Sequence, residues 1–117
     1  MKLKNIDFEG TKFNLIPNRY QDTNAIAIMI QEVGEDYCEP LTISAKPDED
    51  EVKKENLNED LVAIFAEDSD YAHILSDNGL IVKPEWEWAD FFEGIYYYTP
   101  TKELLKHLQK LKHKYNK

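Results

Sequence analysis

Asn24-Ala25-Ile26-Ala27-Ile28-Met29-Ile30-Gln31-Glu32-Val33 decides the fold. Side chains alternate across a strand. Ile26, Ile28 and Ile30 therefore share one face and Ala25, Ala27 and Met29 the other, as expected of a central strand covered on both sides. Upstream, Leu3 to Phe8 and Thr11 to Ile16 both alternate, and Glu9-Gly10 between them predicts a hairpin. Pro17-Asn18 is expected to disrupt pairing near the end of the second strand, leaving Arg19-Tyr20 past a bulge or on an edge. Downstream, Gly34-Glu35-Asp36 turns the chain. Tyr37 to Ala45 returns as a fourth strand with Leu41 and Ile43 on one face and Pro40 at an edge or bulge.

The second half mixes both periodicities. Lys46 to Asn58 contains Pro47 and seven charged residues between Asp48 and Glu55, the pattern of a solvated loop or frayed helical turn. Asp60 to Phe65 is a short apolar strand. Asp68 or Ser69 can cap a helix from about Asp70 to Asn78, with Tyr71, Ile74 and Leu75 on one face and Gly79 as its stop. Leu80-Ile81-Val82 is extended. Across Pro84 to Phe92, alternation of Trp86 and Trp88 favours a strand, whereas Trp88, Phe91 and Phe92 fit a helical face. Ile95-Tyr96-Tyr97-Tyr98 is a strand by its aromatic content. Thr99-Pro100 starts an amphipathic helix carrying Leu104, Leu108, Leu111 and Tyr115. The expectation is a single α+β domain over residues 1–117, an antiparallel sheet of about five to six strands with a short helix and a C-terminal helix packed on it.

The longest apolar run, Ala25 to Ile30, is six residues, against about twenty for a membrane-spanning helix. The amino terminus lacks the apolar segment of a secretory signal, and Cys38 is the single cysteine, so a cytoplasmic address is expected. The net charge of −9 is unevenly placed. Residues 99–117 carry six Lys against Glu103 alone, whereas residues 48–90 carry fourteen acidic side chains against three Lys. Such a body repels nucleic acid and anionic membranes, and a protein with a basic surface is the expected partner. The lysines of the last helix would offset that acid within the chain or in a dimer mate, as a monomer or homodimer.

No catalytic constellation is visible. Cys38, Ser44, Ser69 and Ser76 lie in no local setting that activates a nucleophile. Asp70, His73 and Asp77 are spaced to share a helical face, but a solvated histidine between carboxylates is the commoner outcome. Asp48-Glu49-Asp50-Glu51 invites a calcium reading that fails at Val52 and Lys53, where the loop needs an oxygen ligand and a glycine. Four scattered glycines make no phosphate loop. No metal and no cofactor are expected. The aromatic run Trp86 to Tyr98 exceeds what one core needs, and aromatics beside carboxylates suit an interface against a basic surface. The candidate partner-binding residues are Asp48, Glu49, Asp50, Glu51, Glu85, Trp86, Glu87, Trp88 and Tyr97.

The succession Asp60 to Phe65, Asp68 through Leu75, Asp77-Asn78-Gly79-Leu80 and Gly94-Ile95-Tyr96-Tyr97-Tyr98 resembles an uncharacterised-function family of short proteins from phages and mobile elements. Over residues 8–105 that family shows a strand ending in Asp, a helix ending in Asn-Gly and a closing Gly-aromatic strand. The shorter polar turn after Phe65, the Trp86/Trp88 pair and the basic tail depart from it. The resemblance implies a setting in which small acidic proteins block host defence enzymes. The resulting expectation is a non-enzymatic, acidic protein-binding module that inhibits a nucleic-acid-binding defence protein, of anti-CRISPR or anti-restriction type. An immunity protein against a basic toxin, or a small enzyme or ligand-binding domain with a site near His73, are the alternatives.

Overall fold

The computed structural model describes residues 1–46, 50, 53, 60–82, 88–90 and 94–115. Strand β1 (Ile6–Phe8) and strand β2 (Thr11–Arg19) form the expected hairpin. Glu9 and Gly10 turn it with φ of 51° and 81°, the paired positive values that match the twist of a two-residue hairpin. Strand β3 (Ile26–Glu32) and strand β4 (Cys38–Pro40) complete a four-stranded antiparallel sheet in the order β1-β2-β3-β4.

Two expectations fail here for identifiable reasons. Pro17 does not end β2, which pairs with β3 through Pro17↔Ile28 to Arg19↔Ile26. Ile28 spends its backbone groups on the other side: its N–H goes to Thr42 Oγ1 at 3.0 Å and its carbonyl accepts from Leu41 at 2.9 Å. The proline nitrogen therefore faces the β1 side, beyond the end of β1, where no donor is asked for. Likewise the fourth strand stops at Pro40 instead of running to Ala45. The Thr42 hydroxyl takes the place of a backbone acceptor, and the chain then crosses to a second sheet, where the Ile43 N–H donates to the Ala63 carbonyl at 2.9 Å.

That second sheet has β7 at its centre: β5 (Val62–Phe65), β7 (Ile95–Tyr98) and β6 (Trp88–Asp90), all antiparallel. The fold is α+β, with seven strands in two sheets among the described residues instead of one sheet. The open segment Pro84 to Phe92 contains a strand at Trp88–Asp90; the rest of it lies outside the described residues, as does most of Lys46 to Asn58.

Helix α1 (Tyr71–Asp77) follows a short 3₁₀ turn and starts without a side-chain cap, so the expected cap by Asp68 or Ser69 is absent. It ends as expected. Gly79 has φ of 80°, its N–H bonds the Ser76 carbonyl, and the Leu80 N–H bonds that of Leu75 at 2.8 Å, a Schellman stop. Helix α2 (Lys102–Tyr115) is capped two residues later than expected, by Thr101. Its hydroxyl accepts from the Leu104 N–H at 3.2 Å and donates to the Gly79 carbonyl at 2.7 Å. Pro100 is spent in a bridge to Ile81.

The main core lies between the sheets and the helices. Ile6, Leu15, Ile26 and Ile28 of the first sheet meet Val62, Ile64 and Tyr98 of the second, Leu75 of α1, and Leu104 and Leu108 of α2. The opposite face of the second sheet buries a smaller cluster of Leu61, Ala63, Ile95 and Tyr97 against Ile43 and Ala45. Among the described residues no helix is long and apolar enough to cross a membrane.

Candidate protein-binding surface

Of the residues singled out in the sequence, Asp48, Glu49, Glu51, Glu85, Trp86 and Glu87 lie outside the described residues. Asp50 is exposed. Trp88 belongs to β6 and pairs with Tyr97 in the ladder. Tyr97 corrects the expectation of a ring offered to a partner: it is 2% exposed, packed in the smaller core. The three-tyrosine strand is sandwiched on both faces, so alternation sends Tyr98 into one core and Tyr97 into the other. Tyr96 is half-buried.

The alternative site near His73 has its three members, Asp70, His73 and Asp77, exposed along α1. Among the described residues no group of three or more His, Cys, Asp and Glu side chains is placed to hold a metal ion.

Two polar clusters organise the end of the first sheet where β2 turns into β3. Arg19 reaches across to Asp60, with Nη1 to Oδ1 at 3.0 Å and Nη2 to Oδ2 at 2.7 Å, and Nη1 also donates to the Asn24 carbonyl at 3.0 Å. The hydrogen bond to Asp60 raises the guanidinium pKa further above its ordinary value, outweighing burial, so the group stays charged. Nearby, the Ser44 hydroxyl donates to the Asp22 carboxylate, and the Thr23 hydroxyl lies 2.9 Å from that of Ser44 while accepting from the Ala25 N–H. The Ser44 hydrogen bond holds Asp22 below the usual carboxylate range. These are turn-fixing bonds: they tie the end of β2 and the β2–β3 loop to Asp60 and Ser44.

The opposite end of the sheet is different in kind. From the end of β3 into β4, Glu32, Val33, Glu35, Asp36, Tyr37 and Glu39 are all exposed, and Tyr37 at 71% has the largest exposure of the large hydrophobic side chains among the described residues. The turn is held by the Glu35 N–H on the Glu32 carbonyl at 3.0 Å and by Gln31 Nε2 on the Glu35 carbonyl at 2.8 Å. Because Val33 donates to the Lys12 carbonyl at 3.0 Å, the β1–β2 turn with Glu9 stands beside it. Residues 32–39 contain four carboxylates and no basic side chain. In the sequence this stretch reads as a turn and a strand start. The signal that would have found it is the acidic run around a tyrosine with no apolar alternation to bury it.

Comparison with family models, curated proteins and solved structures gave no match.

Proposed function

We propose that the chain is a non-enzymatic protein-binding module whose acidic hairpin end, residues 32–39, docks on a basic surface of a partner protein. The observation that carries the reading is Tyr37, 71% exposed within a run of four carboxylates on a hydrogen-bonded turn. A tyrosine supplies a large contact at low entropic cost and is among the residues most enriched at binding hot spots. Carboxylates around it steer a basic partner and speed encounter. In the phage and mobile-element setting that the sequence resemblance implies, the partner is a nucleic-acid-binding defence protein, whose phosphate-binding surface the carboxylates occupy.

The test is capture of partners from host cells with wild-type and Tyr37→Ala protein side by side, at low and high ionic strength. A specific basic protein retained by the wild type, lost with Tyr37→Ala and weakened by salt supports the reading. Equal capture by both forms, indifferent to salt, contradicts it.

A further inference from the structure

Helix α2 carries the opposite charge to the rest of the chain. Its apolar side, with Leu104 and Leu108, lies in the main core. Away from that side Lys102, Lys106 and Lys110 recur every four residues and are all exposed, a row in which successive Cα atoms rise by about 6 Å along the helix. The one carboxylate of the helix, Glu103, is already engaged: the Met1 amine donates to its Oε2 at 2.8 Å. That hydrogen bond is the largest reason Glu103 titrates low, and the charge of Lys106 is the smallest. Among the described residues none of the three lysines is held in an ion pair, so the row keeps its charge for a contact from outside.

The acidic 32–39 end fits such a row in charge and in spacing. Glu39 pairs with Ile30, and Glu32, two residues further along β3, is on the same face. The two are diagonal neighbours about 7–8 Å apart, close to the step between successive lysines. Tyr37, between them in the chain and 71% exposed, adds a ring face that an ammonium group can cover.

We propose that the lysine row of α2 receives the acidic 32–39 end of a second copy of the chain. The proposal rests on the reading of that end as a contact surface for basic groups, and adds that the chain carries such a surface itself. Two acidic chains repel at long range, but at physiological salt charges more than about 8 Å apart are largely screened, so the groups that face each other decide. The row is where an approaching acidic end meets attraction instead of repulsion. The contact is heterologous, with the hairpin end of one copy on the helix of the next. It is small, of the transient kind in which charge sets the encounter, and is populated only at high protein concentration. A copy docked in this way has its acidic end covered, so self-association competes with the partner.

The experiment is sedimentation equilibrium of the full chain from about 1 μM to about 1 mM, at about 0.1 M and about 1 M salt, between which the screening length falls from about 10 Å to about 3 Å. Wild type, Lys106→Glu and the double variant Glu32→Lys/Glu39→Lys are compared, with circular dichroism confirming that each is folded. At the lower salt the wild type should associate in the high micromolar range, and each variant alone roughly tenfold more weakly or less still. The double variant is the less acidic chain, so general repulsion predicts the opposite change for it. Mixing the two variants should restore association, because one keeps an intact 32–39 end and the other an intact lysine row. High salt should abolish it.

A wild type that stays monomeric throughout, a double variant that associates as well as the wild type, or a mixture that fails to pair overturns the inference. So does a monomeric wild type that retains a labelled oligonucleotide and loses it in Lys106→Glu, which would assign the row to phosphates. Lys106→Glu keeps the 32–39 end and should capture the basic partner as the wild type does. A monomeric wild type that still captures that partner through Tyr37 therefore overturns self-association alone and leaves the proposed function standing.

Discussion

Arg19, the single arginine of the chain, grips Asp60 with both Nη atoms, at 3.0 and 2.7 Å, and so joins the last residue of β2 to the approach to β5. The two residues belong to different sheets' strands or their flanks, and the pair is about seven-tenths buried, with side-chain exposures of 29% and 31%. A planar fork against a carboxylate is the arrangement that lysine cannot copy.

Arg19→Lys should therefore lower stability by about 1–2 kcal/mol, as read by urea denaturation. Asp60→Asn should do the same or more, since it leaves the guanidinium without its counter-charge. The double variant should lose less than the sum of the two. Strict additivity would mean that the ion pair contributes nothing.

Thr42 is the buried polar residue on which the crossing between sheets turns; it is 3% exposed. Its Oγ1 accepts the Ile28 N–H, and the Tyr20 hydroxyl donates to the Thr42 carbonyl at 2.7 Å. Thr42→Val keeps the shape and strands the Ile28 N–H, with an expected loss of about 1–3 kcal/mol. Tyr20→Phe removes its hydroxyl's hydrogen bonds to the Thr42 carbonyl and hydroxyl and should lose about 1–2 kcal/mol. Amide exchange at Ile28 is the direct readout: it should accelerate in Thr42→Val beyond what the global stability change accounts for.

Gly79 and Gly10 have nearly equal φ, 80° and 81°, but different surroundings. A Cβ at Gly79 would stand 3.3 Å from the Met1 Cα, whereas at Gly10 it meets nothing within 4 Å. Both alanine variants incur the left-handed backbone penalty of about 1 kcal/mol. Gly79→Ala should be the more destabilising of the two in thermal melts, because the Met1 backbone must also shift.

Asp22 titrates low chiefly because the Ser44 hydroxyl donates to it. A carboxylate depressed in the folded state contributes stability that is present above its unfolded pKa and lost as pH falls through the folded one. Ser44→Ala should move the Asp22 pKa upward toward the ordinary carboxylate value, measured by NMR titration of its side chain. It should also flatten the acid limb of stability against pH. An unchanged Asp22 pKa in that variant would show that the hydroxyl is not its cause.

The sequence made much of this fold legible wherever one periodicity was uncontested. The β1–β2 hairpin, the isoleucine strand and the Gly79 stop follow from alternation and turn chemistry in residues 3–33 and 70–80. Two features were hidden because a tertiary partner decides them. Pro17 is tolerated only because Ile28 is engaged by Thr42, and the break after Pro40 depends on Ala63, which lies far along the chain. The exposed tyrosine of the 32–39 end is hard to read from sequence for a related reason. Counting carboxylates favours residues 48–90, whereas exposure of an aromatic beside them, as at Tyr37, depends on which faces the fold covers. Tyr97, equally aromatic, is claimed by Leu61 and Ile95.

The central claim is that the 32–39 end is a contact surface, and site-specific photo-crosslinking tests it most directly. A benzoylphenylalanine replacing Tyr37 is placed in the native host, with the same probe at exposed Gln109 on α2 as the reference. The account predicts a discrete adduct with one basic protein at position 37, diminished by high salt and absent at position 109. No adduct at position 37, or the same adducts at both positions, would contradict it.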